Sequence, residues 1–178
     1  MRIAGLGAKT MARLGANTQL IPAGEIFVSL ERGRIEAVEF SAPQLDIGFG
    51  LQKIAKFYYF PGWHQPASWD SIIINMDVWK SLTPKHQRIM TEACHANITY
   101  NMYDQVNAQV AAIEKIEQAG VKIVRFPDEV LAALKKEAQQ VMKEEAEKDP
   151  LFKEAYESLT AYVTRVGRWY DLQQLPQN

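Results

Sequence analysis

Arg2 stands in a short apolar opening with the pattern of a strand's end, and it is the first side chain in this sequence able to hold an anion. A guanidinium offers parallel N–H donors, so a partly buried arginine facing an anion most often pairs with a carboxylate. Glu39 and Phe40 close a strand-like run that begins at Ile35. Farther along, Phe57, Tyr58, Tyr59 and Phe60 form an aromatic run leading into Pro61, Gly62, Trp63, His64 and Gln65. Open α/β sheets bind ligands at the carboxyl ends of their strands. An arginine, an acid, aromatic walls and a side-chain carbonyl gathered there make an anion pocket. The same residues fit a plainer arrangement, with the aromatics in the core and Arg2 ion-paired with Glu39, and spacing leaves both open.

Other chemistries find less support. His86 and His95 lie nine residues apart and His64 falls in a loop, so the histidines show no metal-ligand spacing. A lone Cys94 excludes an internal disulfide and a cysteine-rich metal site, and its helical surroundings suit a buried, inert thiol. No serine occupies a G-x-S-x-G turn, and Gly5-Leu6-Gly7 lacks the remaining spacing of a phosphate loop. With 47% hydrophobic and 23% charged residues and a net charge of −1, the chain has globular composition and no basic stripe for nucleic acid. Residues 1–16 carry no secretory signal pattern, and no apolar stretch approaches the roughly 18 to 20 residues of a membrane span.

The elements that must position the anion pocket alternate over the first eighty residues, as in βα units with a largely parallel sheet. Strands are expected at 1–3, 18–21, 35–40, 57–60 and 72–75, with helices from Gly5 to Leu14, from about Gly24 to Gly33 and over 43–55. A turn is expected at 65–70. Gly48 and Gly50 weaken the helix over 43–55 by about 1 kcal/mol each. Thr83 before Pro84 is a helix start, and Ile89, Ala93, Ala96, Tyr100, Tyr103, Val106, Val110, Ile113 and Ile116 then mark one face of a long helix ended by Gly120. A short strand at 121–126 precedes a helix to about Lys148 and a last helix from Pro150, whose apolar side carries Phe152, Ala155, Leu159, Tyr162, Val166 and Trp169. Two parts are expected: an α/β lobe over 1–126, including the long helix at about 84–119, and helices over 127–178.

Three stretches carry a family resemblance: Met-Arg-Ile-Ala-Gly-Leu-Gly at 1–7; Gly-Glu-Ile-Phe-Val-Ser-Leu at 24–30 with Gly-Arg-Ile-Glu-Ala-Val-Glu at 33–39; and Phe-Tyr-Tyr-Phe-Pro-Gly-Trp-His-Gln at 57–65. They resemble the extracytoplasmic solute-binding subunits of TRAP (tripartite ATP-independent periplasmic) transporters, in the branch that binds 2-oxoacids, lactate and related monocarboxylates. The resemblance covers essentially the whole chain. It implies an α/β fold, the carboxy-terminal lobe of a type II periplasmic-binding-protein-like architecture followed by long helices, without catalysis and without an organic cofactor. Arg2 takes the position that pairs with the substrate carboxylate, with Glu39, Phe40 and Trp63 also in the ligand site. Phe40, through its main-chain carbonyl, and Gln65 take the positions of ligands to a bound cation, sodium or calcium.

Two departures matter. Phe40 replaces the tryptophan expected there, which spares a main-chain ligand but not the ring's stacking on substrate. Gln65 is neutral, so it offers one oxygen and no charge. The resemblance further implies a periplasmic location, TRAP membrane subunits as partners and dimerisation through the last helix. Family members run to about twice this length, so the chain is expected to be a truncated portion that does not bind alone. The competing readings are an interaction module built on the last helix and a small lyase using Glu39 and His64 as acid and base.

Overall fold

A computed structural model describes residues 1–65 and 71–174, so most of the turn expected at 65–70 lies outside the described residues. In chain order the elements are α1 (Gly5–Arg13), α2 (Ala23–Glu31), α3 (Pro43–Gly48), a 3-10 turn (Leu51–Lys53), β1 (Phe57–Phe60), α4 (Met76–Ser81), α5 (Pro84–Gln118), β2 (Lys122–Arg125), α6 (Asp128–Lys148) and α7 (Pro150–Gln173). They group into two compact units: residues 1–2 with 21–126, and residues 3–20 with 127–178.

In the first unit, Pro43 opens α3 and Gly50 closes the path beyond it, adopting φ +75° where a side chain would be strained. The single helix expected over 43–55 is therefore two short pieces. Thr83 starts α5 as expected, its hydroxyl accepting the His86 N–H at 3.3 Å, and Gly120 at φ +85° lies just beyond its end. Ile21, Ile26, Ile35 and Leu51 form the core beside α2, with Leu30, Val38 and Phe40 packed against them. Each such fully buried aliphatic side chain contributes about 1.5–3 kcal/mol. Helix α3 packs on α5, and the Gln44 N–H donates to Gln109 Oε1 at 3.0 Å.

The sheet is smaller than the βα pattern suggests. β1 and β2 pair in parallel, Phe57 opposite Lys122 through Phe60 opposite Arg125, and Arg2 forms an isolated parallel bridge with Val38. A strand persists only where a neighbour satisfies its N–H and C=O groups. Residues 18–21 and 35–40 thus appear as single bridge positions flanked by irregular backbone, and residues 72–75 form no strand among the described residues, with Ile73 94% exposed. The apolar face of α5 is likewise covered only near its end: Ala112 and Ile116 are buried, while Ile89, Tyr100, Tyr103, Val106 and Val110 are exposed.

In the second unit α1 and α7 both pack on α6. Lys9 reaches Glu145 at 2.8 Å, and Arg13 reaches Glu137 at 2.6 Å and Glu144 at 3.0 Å. Asp128 and Glu129 in the first turn of α6 and Lys148 in its last suit the helix dipole. Asp149 caps α7 by accepting the N–H groups of Leu151 and Phe152 at 2.8 and 3.2 Å. Leu159, Tyr162, Val163, Trp169 and Tyr170 of α7 are exposed. Among the described residues, no helix is long and apolar enough to cross a membrane.

Candidate functional site

The bridge between Arg2 and Val38 decides where the first guanidinium goes. The Arg2 N–H donates to the Ala37 carbonyl and the Glu39 N–H to the Arg2 carbonyl, both at 2.9 Å, so the two segments lie side by side with Arg2 beside Glu39. The Arg2 side chain is buried. Its Nη1 donates to the Glu39 main-chain carbonyl at 2.5 Å and lies 3.6 Å from the Glu39 carboxylate, while Nε donates to the Ile21 carbonyl at 3.4 Å. The guanidinium also stands 5.2 Å from the Phe40 ring centre, within cation–π range.

Glu39 is the centre of this group. One carboxylate oxygen faces Arg2 and the other lies 3.8 Å from His64 Nε2, which brings the loop after β1 to the bridge. His64 Nδ1 is buried and has no hydrogen-bond partner among the described residues. Trp63 joins through its ring, 4.6 Å from that of His64. Phe40 is engaged in packing, edge-on to Phe49 at 4.7 Å and against the α2 core, so its ring is held from behind. Gln65 follows His64 and is exposed. Arg2, Glu39, Phe40, Trp63 and His64 are thus linked by contacts, and Gln65 adjoins them by sequence. The ion pair required by the plainer arrangement forms, and it forms within this same group.

Spacing did not reveal the Asp46–Tyr58 pair. Asp46, in α3, is buried, and its Oδ2 accepts the Tyr58 hydroxyl at 2.6 Å. Burial pushes its carboxyl above the usual value, the hydrogen bond from Tyr58 and the Ser41 backbone oppose that rise, and repulsion from the Glu39 carboxylate adds to it. Burial and the adjoining carboxylate push the Tyr58 hydroxyl far up as well. Along β1 Phe57 and Tyr59 are exposed while Tyr58 and Phe60 are half-buried, an alternation that the uniformly aromatic run does not show in its residue types. A separate open groove lined by Ile72, Met76, Trp79, Met90, Cys94 and His95 holds none of the expected site residues. No cluster of three or more His, Cys, Asp or Glu side chains suited to a metal occurs among the described residues.

The family model for bacterial extracellular solute-binding proteins, family 7 (DctP), matches residues 1–149. This chain belongs to that family. It is 37% identical over 177 residues to the monocarboxylate 2-oxoacid-binding periplasmic protein of Nostoc sp., covering 98% of this chain and 48% of that protein. Among solved structures, a TRAP transporter solute-binding protein of Bordetella bronchiseptica matches with a TM-score of 0.85 and 30% identity, over 97% of this chain and 51% of that one. That protein crystallised as a mixed-occupancy dimer with calcium and picolinate in one site and the other site empty. The solute-binding protein of Pseudoalteromonas atlantica, solved with sodium and pyruvate, matches with a TM-score of 0.81 and 30% identity, covering 97% and 53%. The fold is of the type II periplasmic-binding-protein-like class, as the resemblance implied, and the chain spans about half the length of these relatives.

Proposed function

We propose that this chain supplies part of a TRAP transporter's solute receptor, which captures a small monocarboxylate such as a 2-oxoacid or lactate in the periplasm for the membrane subunits. The observation that carries the reading is the buried Arg2 guanidinium, held against Glu39 and Phe40 with His64 and Trp63 alongside. In this assignment Arg2 pairs with the ligand carboxylate, Trp63 lines the pocket, and Glu39 and Phe40 fix Arg2. The proposed ligand residues all belong to the unit of residues 1–2 and 21–126, which takes the role of the binding lobe in this reading.

Charge supports a bound cation. Arg2 and Glu39 balance each other, so an entering carboxylate leaves the site with one net negative charge, which a cation offsets. Phe40, through its carbonyl, and Gln65 are the cation ligands in this reading, and oxygen donors of this kind suit sodium or calcium. No organic cofactor and no catalytic step is assigned. The Glu39–His64 approach serves to orient Glu39, and consumption of pyruvate that ceases in Glu39→Gln would favour a lyase instead.

The exposed apolar side of α7, with the dimeric Bordetella relative, supports a homodimer formed through that helix. The deciding experiment is titration calorimetry of the protein expressed from its complete reading frame, with pyruvate and lactate, with and without calcium or sodium. Saturable heat that depends on the cation is expected. Absence of heat with every monocarboxylate sinks the assignment.

A further inference from the structure

Phe40 and Gln65 lie on separate segments, and a cation can be shared between them only if those segments are held in fixed register. Asp46 is placed to hold it. Asp46 sits in α3, whose N-cap Ala42 stands two residues after Phe40: its backbone N–H donates to the Ala42 carbonyl at 3.0 Å, and its Oδ2 accepts the Tyr58 hydroxyl at 2.6 Å. Tyr58 lies on β1, whose end at Phe60 runs straight into the loop carrying Trp63, His64 and Gln65. Asp46 is only 7% exposed, and its Oδ1 has no hydrogen-bond partner among the described residues. A buried carboxylate with one oxygen already unmatched depends heavily on the donors it has, because an unsatisfied buried charge costs more than an average hydrogen bond returns.

Resting on the functional reading above, we infer that the Asp46–Tyr58 hydrogen bond is a positioning pair that sets the spacing between the Phe40 carbonyl and Gln65, and thereby the affinity for the cation. Neither side chain touches cation or ligand in this inference. Both act through the backbone they join. Losing the hydroxyl lets Asp46 turn or take up a proton, and the 39–41 segment then shifts relative to the loop after β1.

The test uses the complete reading frame, unaltered and as Tyr58→Phe and Asp46→Asn, with terbium luminescence sensitised by tryptophan as the cation readout and pyruvate calorimetry at saturating calcium as the second. Tyr58→Phe is expected to weaken terbium and calcium binding about tenfold, the size of one charge-assisted hydrogen bond, while pyruvate affinity at saturating calcium stays within about twofold. Asp46→Asn is expected to weaken the cation less, since its amide oxygen still accepts from Tyr58. A purely structural role would lower the melting temperature without changing cation affinity in the folded fraction, and that outcome overturns the inference. Cation affinity unchanged in both folded variants overturns it too. Failure of the unaltered protein to bind any cation overturns the underlying reading and this inference with it.

Discussion

Replacing Arg2 by alanine separates a ligand-binding arginine from a structural one, because the two roles fail in different assays. In the structure the guanidinium satisfies the Glu39 carbonyl at 2.5 Å, approaches the Glu39 carboxylate at 3.6 Å and makes a long contact with the Ile21 carbonyl at 3.4 Å. The side chains of Arg2 and Glu39 are 11% and 27% exposed, so solvent only partly replaces what is removed. One strong charged hydrogen bond and a partly screened ion pair together correspond to about 2–3 kcal/mol of stability. A ligand carboxylate held by two charged N–H donors adds about 3–4 kcal/mol of binding, so Arg2→Ala should weaken pyruvate binding by about 100- to 1000-fold. Arg2→Lys keeps the charge but loses the fork and should fall between, at about tenfold. Calorimetry on the complete reading frame gives the affinity and thermal melting gives the stability. A lowered melting temperature with unchanged pyruvate affinity in folded Arg2→Ala would show that Arg2 serves Glu39 alone, and the binding assignment would be wrong.

Gln65→Glu adds a formal charge at a cation-ligand position and should tighten calcium about tenfold in a chelator-competition titration; no change would remove Gln65 from the ligand set. Deleting residues 150–178 should convert a dimer to a monomer in light scattering coupled to size exclusion, and a monomer before the deletion would refute dimerisation through α7. Asp46 gives a pH signature: burial raises its carboxyl, so the folded protein keeps a proton that the unfolded chain releases, and stability from this group is greatest at low pH and falls as pH rises above the ordinary aspartate range. Asp46→Asn should remove that slope, so that its melting temperature gains on the unaltered protein as pH rises above the ordinary aspartate range; a constant gap would contradict the assignment.

Local signals fixed the helices well and the sheet poorly. Thr83, Pro84 and Gly120 bound α5 because capping is satisfied within a few residues, and Pro150 with Asp149 starts α7 for the same reason. The runs at 18–21, 35–40 and 72–75 have strand composition, but strand formation depends on a partner that composition cannot supply, and among the described residues only 57–60 and 122–125 have a full ladder. The α5 periodicity likewise identified an apolar face without showing that most of it lies exposed. In the site, Arg2 and Glu39 were legible because a buried guanidinium needs an acid and a strand end supplies one. His64 was linked to Glu39 only through the lyase alternative, since spacing does not show an approach between positions 25 residues apart, and Asp46 with Tyr58 carried no spacing signal at all.

The Arg2–Glu39 contact is therefore compatible with both arrangements the residues allow, and the charge balance distinguishes how they behave. If the pair were only structural, a carboxylate brought beside it would meet Glu39 as a repelling neighbour and gain little from an arginine already committed. If Arg2 shares its donors, the repulsion must be offset, and a cation near Phe40 and Gln65 does so while drawing on the same Glu39 charge. Anion and cation then strengthen each other by equal factors, because coupling between two binding equilibria is reciprocal. In the inferred arrangement the Tyr58–Asp46 hydrogen bond would hold that coupling in place, since it ties α3, which follows Phe40, to the strand before His64. A receptor built in this way responds to the acid and the cation together, through an ion pair that on its own would be only a structural contact.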